Sequence, residues 1–268
     1  MVGSMFKELS FALFAIGKNI QNSAELRTSF IVNIIGMMLN NSAFIVVWVF
    51  FVFAVGNVGG WTAIDIVGLQ GFTALTYGVI FSVLGGIPSI TDYVVKGGFD
   101  QLMLAPKNLL VRIATARFSV SAVGDITYGV VCLGIYLSII HAGVVELLIM
   151  VLGVAISTTA FLAALLVIQS SAFLFTDAEG VVRGIFDFFL TPTLFHGGAF
   201  QGGMRFFFTF LIPSLVIGTL PVEAVKSSSW GTLILSSVIA SFWFMFALFI
   251  FYRCVRKYTS TNFMTFGG

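Results

Sequence analysis

Asp125 is the residue best placed to do chemistry in a chain where such residues are scarce. It lies eight residues beyond Arg117 and is followed by a run, 126–145, that contains no Lys, Arg, Asp or Glu. If a helix enters an apolar phase at Arg117, the carboxyl sits roughly 12 Å deep at about 1.5 Å per residue. An ionisable group at that depth marks a pathway for a solute or a proton, or is a structural group bonded by amides and hydroxyls of neighbouring helices. Asn40, Asn41 and Gln169 lie in apolar stretches of their own and are candidate partners, so Asp125, Asn40, Asn41 and Gln169 make a candidate translocation path. Catalysis is harder to build, because it needs a paired set such as two Asp, Ser with His, or His with Glu. By this placement Asp125 alone is clearly deep. His141, His196, Cys132 and Cys254 are too few and too scattered for a metal centre or a disulfide, and His196 reads as a satisfied polar group. No Gly-x-x-x-x-Gly-Lys-Ser/Thr run and no His-Glu-x-x-His occurs, which excludes a P-loop ATP site and a zinc-protease helix.

The elements that would position these residues follow from where the charges are absent. Charge-free runs cover 28–64, 66–91, 126–145, 147–176, 188–204, 206–222 and 227–252. Several exceed the ~20 apolar residues that cross a hydrocarbon core as a helix. Hydrophobic residues make up 59% of the 268 and charged ones 9%, with mean hydropathy +1.07, against about 25% charged in a soluble domain. The runs are too long and continuous for barrel strands, so they are helices. The fold class expected is an all-α integral membrane protein with six transmembrane helices. The first run is too long for the apolar core of a cleavable signal peptide, and none is expected.

With the N-terminus in the cytoplasm, the spans predicted are about 29–55, 66–87, 118–139, 147–175, a fifth, and 230–252. The fifth is either 203–222, or 184–201 with 203–222 dipping back into the membrane as a re-entrant outer hairpin around Pro213. In the first version Lys226 alone of the 13 basic residues faces outward; the second adds Arg205. Either distribution obeys the positive-inside rule. Trp61 and Trp230 fall at the outer interface. Gly198 to Gly202 is a small-xxx-small spacing that permits close helix approach. The domains are then 1–28, a cytoplasmic interfacial helix; 29–258, the transmembrane domain; and 259–268, a tail.

Two cytoplasmic segments stand out. In the N-terminal stretch Phe6, Leu9, Leu13, Phe14 and Ile16 give an apolar face, which suits an amphipathic helix on the inner membrane surface. The loop 88–112 is far longer than the ~2–8 residues that join antiparallel spans. Its mixed pattern, broken at Gly97-Gly98 and Pro106, predicts a short helix, a sharp turn and a second short helix, the build of a docking element.

The run from Val94 to Leu110, with a Lys-Gly-Gly-x-Asp-x-Leu-x-Leu-x-Pro core, resembles the permease subunits of type-2 ATP-binding-cassette exporters, and within them a bacterial branch associated with viologen and multidrug export. Gly97, Asp100, Leu102 and Pro106 match that branch's pattern, with Met103 where a second Leu is usual. Arg205, Pro213 and Leu220-Pro221 are similar to a later stretch of the branch, and Tyr252 to Tyr258 to its basic, Tyr-ended C-terminus. The chain departs at Gly202-Gly203-Met204, where the family often carries a further Pro and Trp. The resemblance implies an exporter permease in the bacterial inner membrane, with both termini cytoplasmic. It would pair with an identical or sister permease and dock on cytoplasmic ATPase subunits. It implies that 88–112 is a coupling loop in which Lys96, Asp100, Lys107 and Arg112 dock, while Gly97, Gly98 and Pro106 set the shape. ATP and Mg would be held by the ATPase, so this chain binds no cofactor and is not itself an enzyme. Membrane lipid, but no nucleic acid, is an expected partner. The alternatives are a self-sufficient carrier, a substrate-capture subunit and, behind these, an intramembrane enzyme. Phe-rich, weakly charged spans suit an amphiphilic cargo, although lipid-facing Phe would look the same.

Overall fold

A computed structural model describes residues 2–25, 27–56, 59–104, 108–175 and 177–258. Helices α1 (Val2–Ala24) and α2 (Arg27–Val55) are followed by α3 (Ala63–Val83). Three short helices come next: α4 (Ile90–Val95), α5 (Phe99–Met103) and α6 (Leu109–Ala114). Then come α7 (Ser121–Ile139), α8 (Val144–Ser170), α9 (Ala178–Leu190), α10 (Gly202–Phe206), α11 (Thr219–Lys226) and α12 (Trp230–Val255). No strand occurs among the described residues. Among the described residues five helices are long and apolar enough to cross a bilayer: α2, α3, α7, α8 and α12. That is the build of a multi-pass membrane protein.

Helix α3 is the centre of the bundle. In its most apolar stretch 67% is buried, against 6% for that of α2, which lies on the outside. Helix α7 packs along α3 so closely that the backbones meet. A Cβ on Gly129 would stand 2.6 Å from the Leu75 amide nitrogen, and one on Gly78 2.7 Å from that of Ile126. Small residues that let backbones approach are the usual device for packing helices in lipid, where no hydrophobic gain is available between them. The device therefore operates on α3 and α7. At Gly198 to Gly202, where the sequence suggested it, the chain runs through a 3-10 turn and extended residues, so the two glycines do not share a helix face.

The region 178–226 forms no continuous span-length helix over either expected stretch, 203–222 or 184–201. Helix α9, N-capped by Asp177, gives way to 3-10 turns at Thr191–Leu194 and Gly197–Ala199. Helix α10 then runs into a π turn, Phe207–Leu211, and a 3-10 turn, Pro213–Val216, before α11. Pro192 and Pro213 each begin a 3-10 turn, as expected of residues that cannot donate within a helix. The segment doubles back at Pro213, which brings Arg205 into an ion pair with Glu223. Its irregular carbonyls are met by side chains of the bundle. The Ser214 hydroxyl donates to the Phe189 carbonyl at 2.9 Å, and Trp243 Nε1 donates to that of Phe210 at 2.9 Å. Non-helical backbone at depth is stable only under that kind of shielding.

Helix α1 is tied to the bundle by Asn19, whose side-chain amide donates to the Thr115 carbonyl at 2.9 Å. Of its expected apolar face, Leu13 and Phe14 are exposed and Ile16 is half-buried. The side chains of Phe6 and Leu9, like the tail 259–268, lie outside the described residues.

Candidate functional site

The loop between α3 and α7 is built on a rigid base. The Gly86 amide donates to the Ala114 carbonyl at 3.2 Å, which closes the end of α3 onto α6. Helix α4 ends at a turn in which Gly97 takes φ +72, a value that suits glycine. Helix α5 follows, so the loop has the short helix, turn and short helix that its pattern predicts. Helix α6 starts on Asn108, whose side-chain oxygen accepts from the Leu110 and Val111 amides.

Four sets of contacts hold this loop, three from outside it and one within. Gln169 of α8 accepts from the Thr91 hydroxyl at 2.7 Å and from its amide at 3.0 Å. Asp92 pairs with Arg117 at 2.7 Å, and Arg117 also stacks on the Tyr93 ring. Arg112 donates to the carbonyls of Leu102 and Gln101, and so caps α5 from α6. Phe99 is fully buried, edge-on to Phe173 and Tyr258 with ring centroids 4.9 and 5.2 Å away. The Tyr258 phenol is pushed up by burial and by the Asp100 carboxylate beside it, which places the end of α12 against α5.

What this frame presents is a mixed surface. Lys96 is exposed, 3.6 Å from Asp92. Asp100 is half-buried. Met103 is 46% and Leu104 85% exposed at the tip. Gly98 packs loosely on Tyr93. Pro106 and Lys107 lie outside the described residues. Arg112 is engaged within the loop, where its guanidinium holds the end of α5.

The Arg117 hydrogen bond holds the Asp92 carboxyl below the usual carboxylate range. A group depressed on folding stabilises the protein above its unfolded value, about 3.9, and loses that contribution as pH falls through the folded value. The pair is more than a third exposed on both sides, so its worth is under ~1 kcal/mol. Acidification below pH ~4 is therefore expected to loosen α4 modestly. Protection from hydrogen exchange across 90–97, referred to the intrinsic rate at each pH, would fall in the wild type and stay constant in Asp92→Asn. An identical acid response in both would place the cause elsewhere.

The interior residues divide. Asn41 Nδ2 donates to Asp125 Oδ1 at 2.7 Å, and the Tyr128 hydroxyl donates to the Asn41 carbonyl at 3.2 Å, joining α2 to α7. Asn40 lines a cavity beside them with Asn41 and Gln70. Gln169 does not join this group. It serves the loop through Thr91, so the set of four expected along one path separates into three and one.

Two ion pairs at the other end of the bundle escaped the sequence reading. Asp65, in the first turn of α3, is 2% exposed and pairs with Lys226 at 2.7 Å. It also accepts from the Thr62 amide and hydroxyl, both at 2.8 Å, while Lys226 donates to the Gly60 carbonyl at 2.7 Å. The Arg205–Glu223 pair sits beside them on α10 and α11. A signal was present, because Asp65 stands alone between two charge-free runs, 28–64 and 66–91. His196 is buried among Trp48, Trp61 and Phe195. Among the described residues its Nδ1 has no hydrogen-bond partner, which departs from its reading as a satisfied group.

A family model described as ABC-2 family transporter protein matches residues 37–262. No curated protein and no solved structure matches the chain.

Proposed function

The chain belongs to the ABC-2 family of transporter proteins, and from that premise we propose that it is the permease subunit of an ATP-driven exporter, moved by separate ATPase subunits that dock on the loop 88–112. The observation that carries this reading is the loop itself. Its base is fixed by Gln169, Arg117 and Arg112, while Leu104, Met103 and Lys96 are held outward. A surface of exposed apolar tip and charged flank on a rigid frame suits a protein partner better than solvent. The chain has no P-loop, so ATP and Mg belong to that partner. The Phe99–Tyr258 contact supports transmission, because a push on α5 reaches the end of α12 directly.

The loop end is then cytoplasmic, as are both termini. The stretch 178–201 crosses as a broken fifth span, and 202–226 is a re-entrant hairpin from the outside, closed by Arg205 and Glu223. That count makes six crossings and leaves Arg205 and Lys226 as the outward basic residues. A second permease, identical or a sister, completes the path. The bacterial inner membrane and the viologen and multidrug branch rest on the loop, hairpin and tail motifs.

Affinity purification of the tagged chain from mild detergent, with mass spectrometry of what co-elutes, tests the assignment. A stoichiometric P-loop ATPase, lost when 88–112 is altered, is the expected result. A clean preparation that transports without an ATPase would make it a self-sufficient carrier. Asp100→Ala and Lys107→Ala are expected to leave insertion intact and to uncouple transport from ATP hydrolysis in reconstituted vesicles. Normal coupled transport in both would remove these residues from the docking surface.

A further inference from the structure

Next to the Asn41–Asp125 bridge, between α2, α3, α7 and the chain at 190–194, lies a cavity of about 180 Å³ lined in part by Asn41, Gln70, Tyr77 and Asp125. It shares Asn41, Gln70 and Leu194 with a second cavity of about 360 Å³ that reaches Asn40 and Phe44. Phe44 is 37% exposed on the flank of α2, so the pair of cavities leads from the side of the bundle to Asp125. Two side chains along this path are more than nine-tenths buried and incompletely bonded. Among the described residues, Asp125, 3% exposed, has one oxygen on Asn41 and no partner for the other. Gln70, 5% exposed, finds no acceptor for its Nε2 among them either. Among the described residues that line the two cavities there is no Lys, Arg or His.

A buried carboxylate with a free lone pair and no protein cation is costly to leave alone, and such groups are ordinarily paired. Here the described residues give one oxygen the Asn41 donor, but bring no cation and no donor to the other. Space, an open flank and two unanswered polar groups are all present. We propose that this is a headgroup site for a cationic amphiphile. A protonated primary amine donates to the unpartnered Asp125 oxygen, beside Tyr77 and Gln70. Its alkyl chain runs out past Asn40 and Phe44 into the lipid. An ammonium answers both the charge and the missing donor. A sulfate or carboxylate head would meet Asp125 with like charge. This rests on the permease reading for its meaning as a cargo site, but the binding itself needs no ATPase.

The test uses the full chain purified alone in nanodiscs of neutral lipid, with dodecylamine, dodecanol and dodecyl sulfate as probes and thermal unfolding as readout. Dodecylamine is expected to raise the melting temperature saturably, with dodecanol and dodecyl sulfate giving no saturable shift. Asp125→Asn, which keeps an oxygen for Asn41, is expected to weaken dodecylamine binding roughly tenfold or more. Equal shifts from dodecylamine and dodecanol overturn the site on the wild type alone, whether or not the variant folds. An unchanged dodecylamine affinity in a folded Asp125→Asn overturns it as well. Binding retained in a chain that captures no ATPase would remove the permease reading and leave the site standing.

Discussion

Gly86→Ala is expected to prevent the native protein from assembling. A Cβ at that position would overlap the Ile113 carbonyl oxygen and press on Ala116 Cβ at 3.3 Å. The obstacle is backbone of α6, which cannot rotate aside as a side chain tip would. The same glycine donates its amide to Ala114 at 3.2 Å, so relief of the clash breaks the seam between α3 and α6. Ordinary overpacking costs ~1–3 kcal/mol, and the loss here should exceed that range. The measurement is monodispersity and melting temperature in detergent. Gly184→Ala serves as the comparison, because nothing lies within 4 Å of a Cβ there. That change, in a helix, should be neutral or slightly stabilising. A Gly86→Ala protein that melts like the wild type would mean that the α3–α6 seam opens freely, and the rigid base argued for the loop would go with it.

Lys226→Ala is the second large effect. It leaves the Asp65 carboxylate, 2% exposed, without its cation. Removing one member of a buried pair costs ~3–5 kcal/mol. Lys226 itself is 43% exposed, and both Thr62 donors remain on Asp65, which sets the expected loss at the lower end. Asp65→Asn in the same chain should recover most of it, since an amide oxygen still accepts from Thr62 and carries no charge to strand. The double-mutant cycle by thermal unfolding isolates the pair. If Asp65→Asn rescues nothing, the lysine acts through the Gly60 carbonyl instead.

How far the sequence could be read depended on what kind of constraint each element obeys. Helices α2, α3, α7, α8 and α12 were legible because a helix in lipid must be long, apolar and uncharged, and the charge-free runs record that directly. The 178–226 region was not, since its backbone is held by Ser214, Trp243 and the Arg205–Glu223 pair, and none of these partners has a fixed spacing from what it binds. The α3–α7 contact failed for a related reason. Gly78 and Gly129 face backbone on another helix, and a single helix's spacing does not name its neighbour. Within the candidate sites, Asn41 with Asp125 was anticipated because both lie in apolar runs. Gln169 was assigned to the same group on that ground, yet its partner Thr91 lies in the loop. Asp65 was passed over because it sits at a span boundary, where a charge looks ordinary, and its 2% exposure comes from the folded turn before α3.

The place of α2 on the outside of the bundle has a consequence for biosynthesis. This helix leaves the ribosome before α3, α7, α8 and α12, yet its polar bridge to the bundle is formed with a residue 84 positions later. Until α7 arrives, the Asn41 side chain lacks its Asp125 partner, and the apolar residues around it keep the helix in the membrane. Insertion and packing of α2 are thus separate events in time. A chain stalled before Ser121 should carry α2 across the bilayer but leave it free to slide and rotate, open to solvent-borne thiol reagents at a cysteine placed near either end. Release of the remaining chain should then fix it in register.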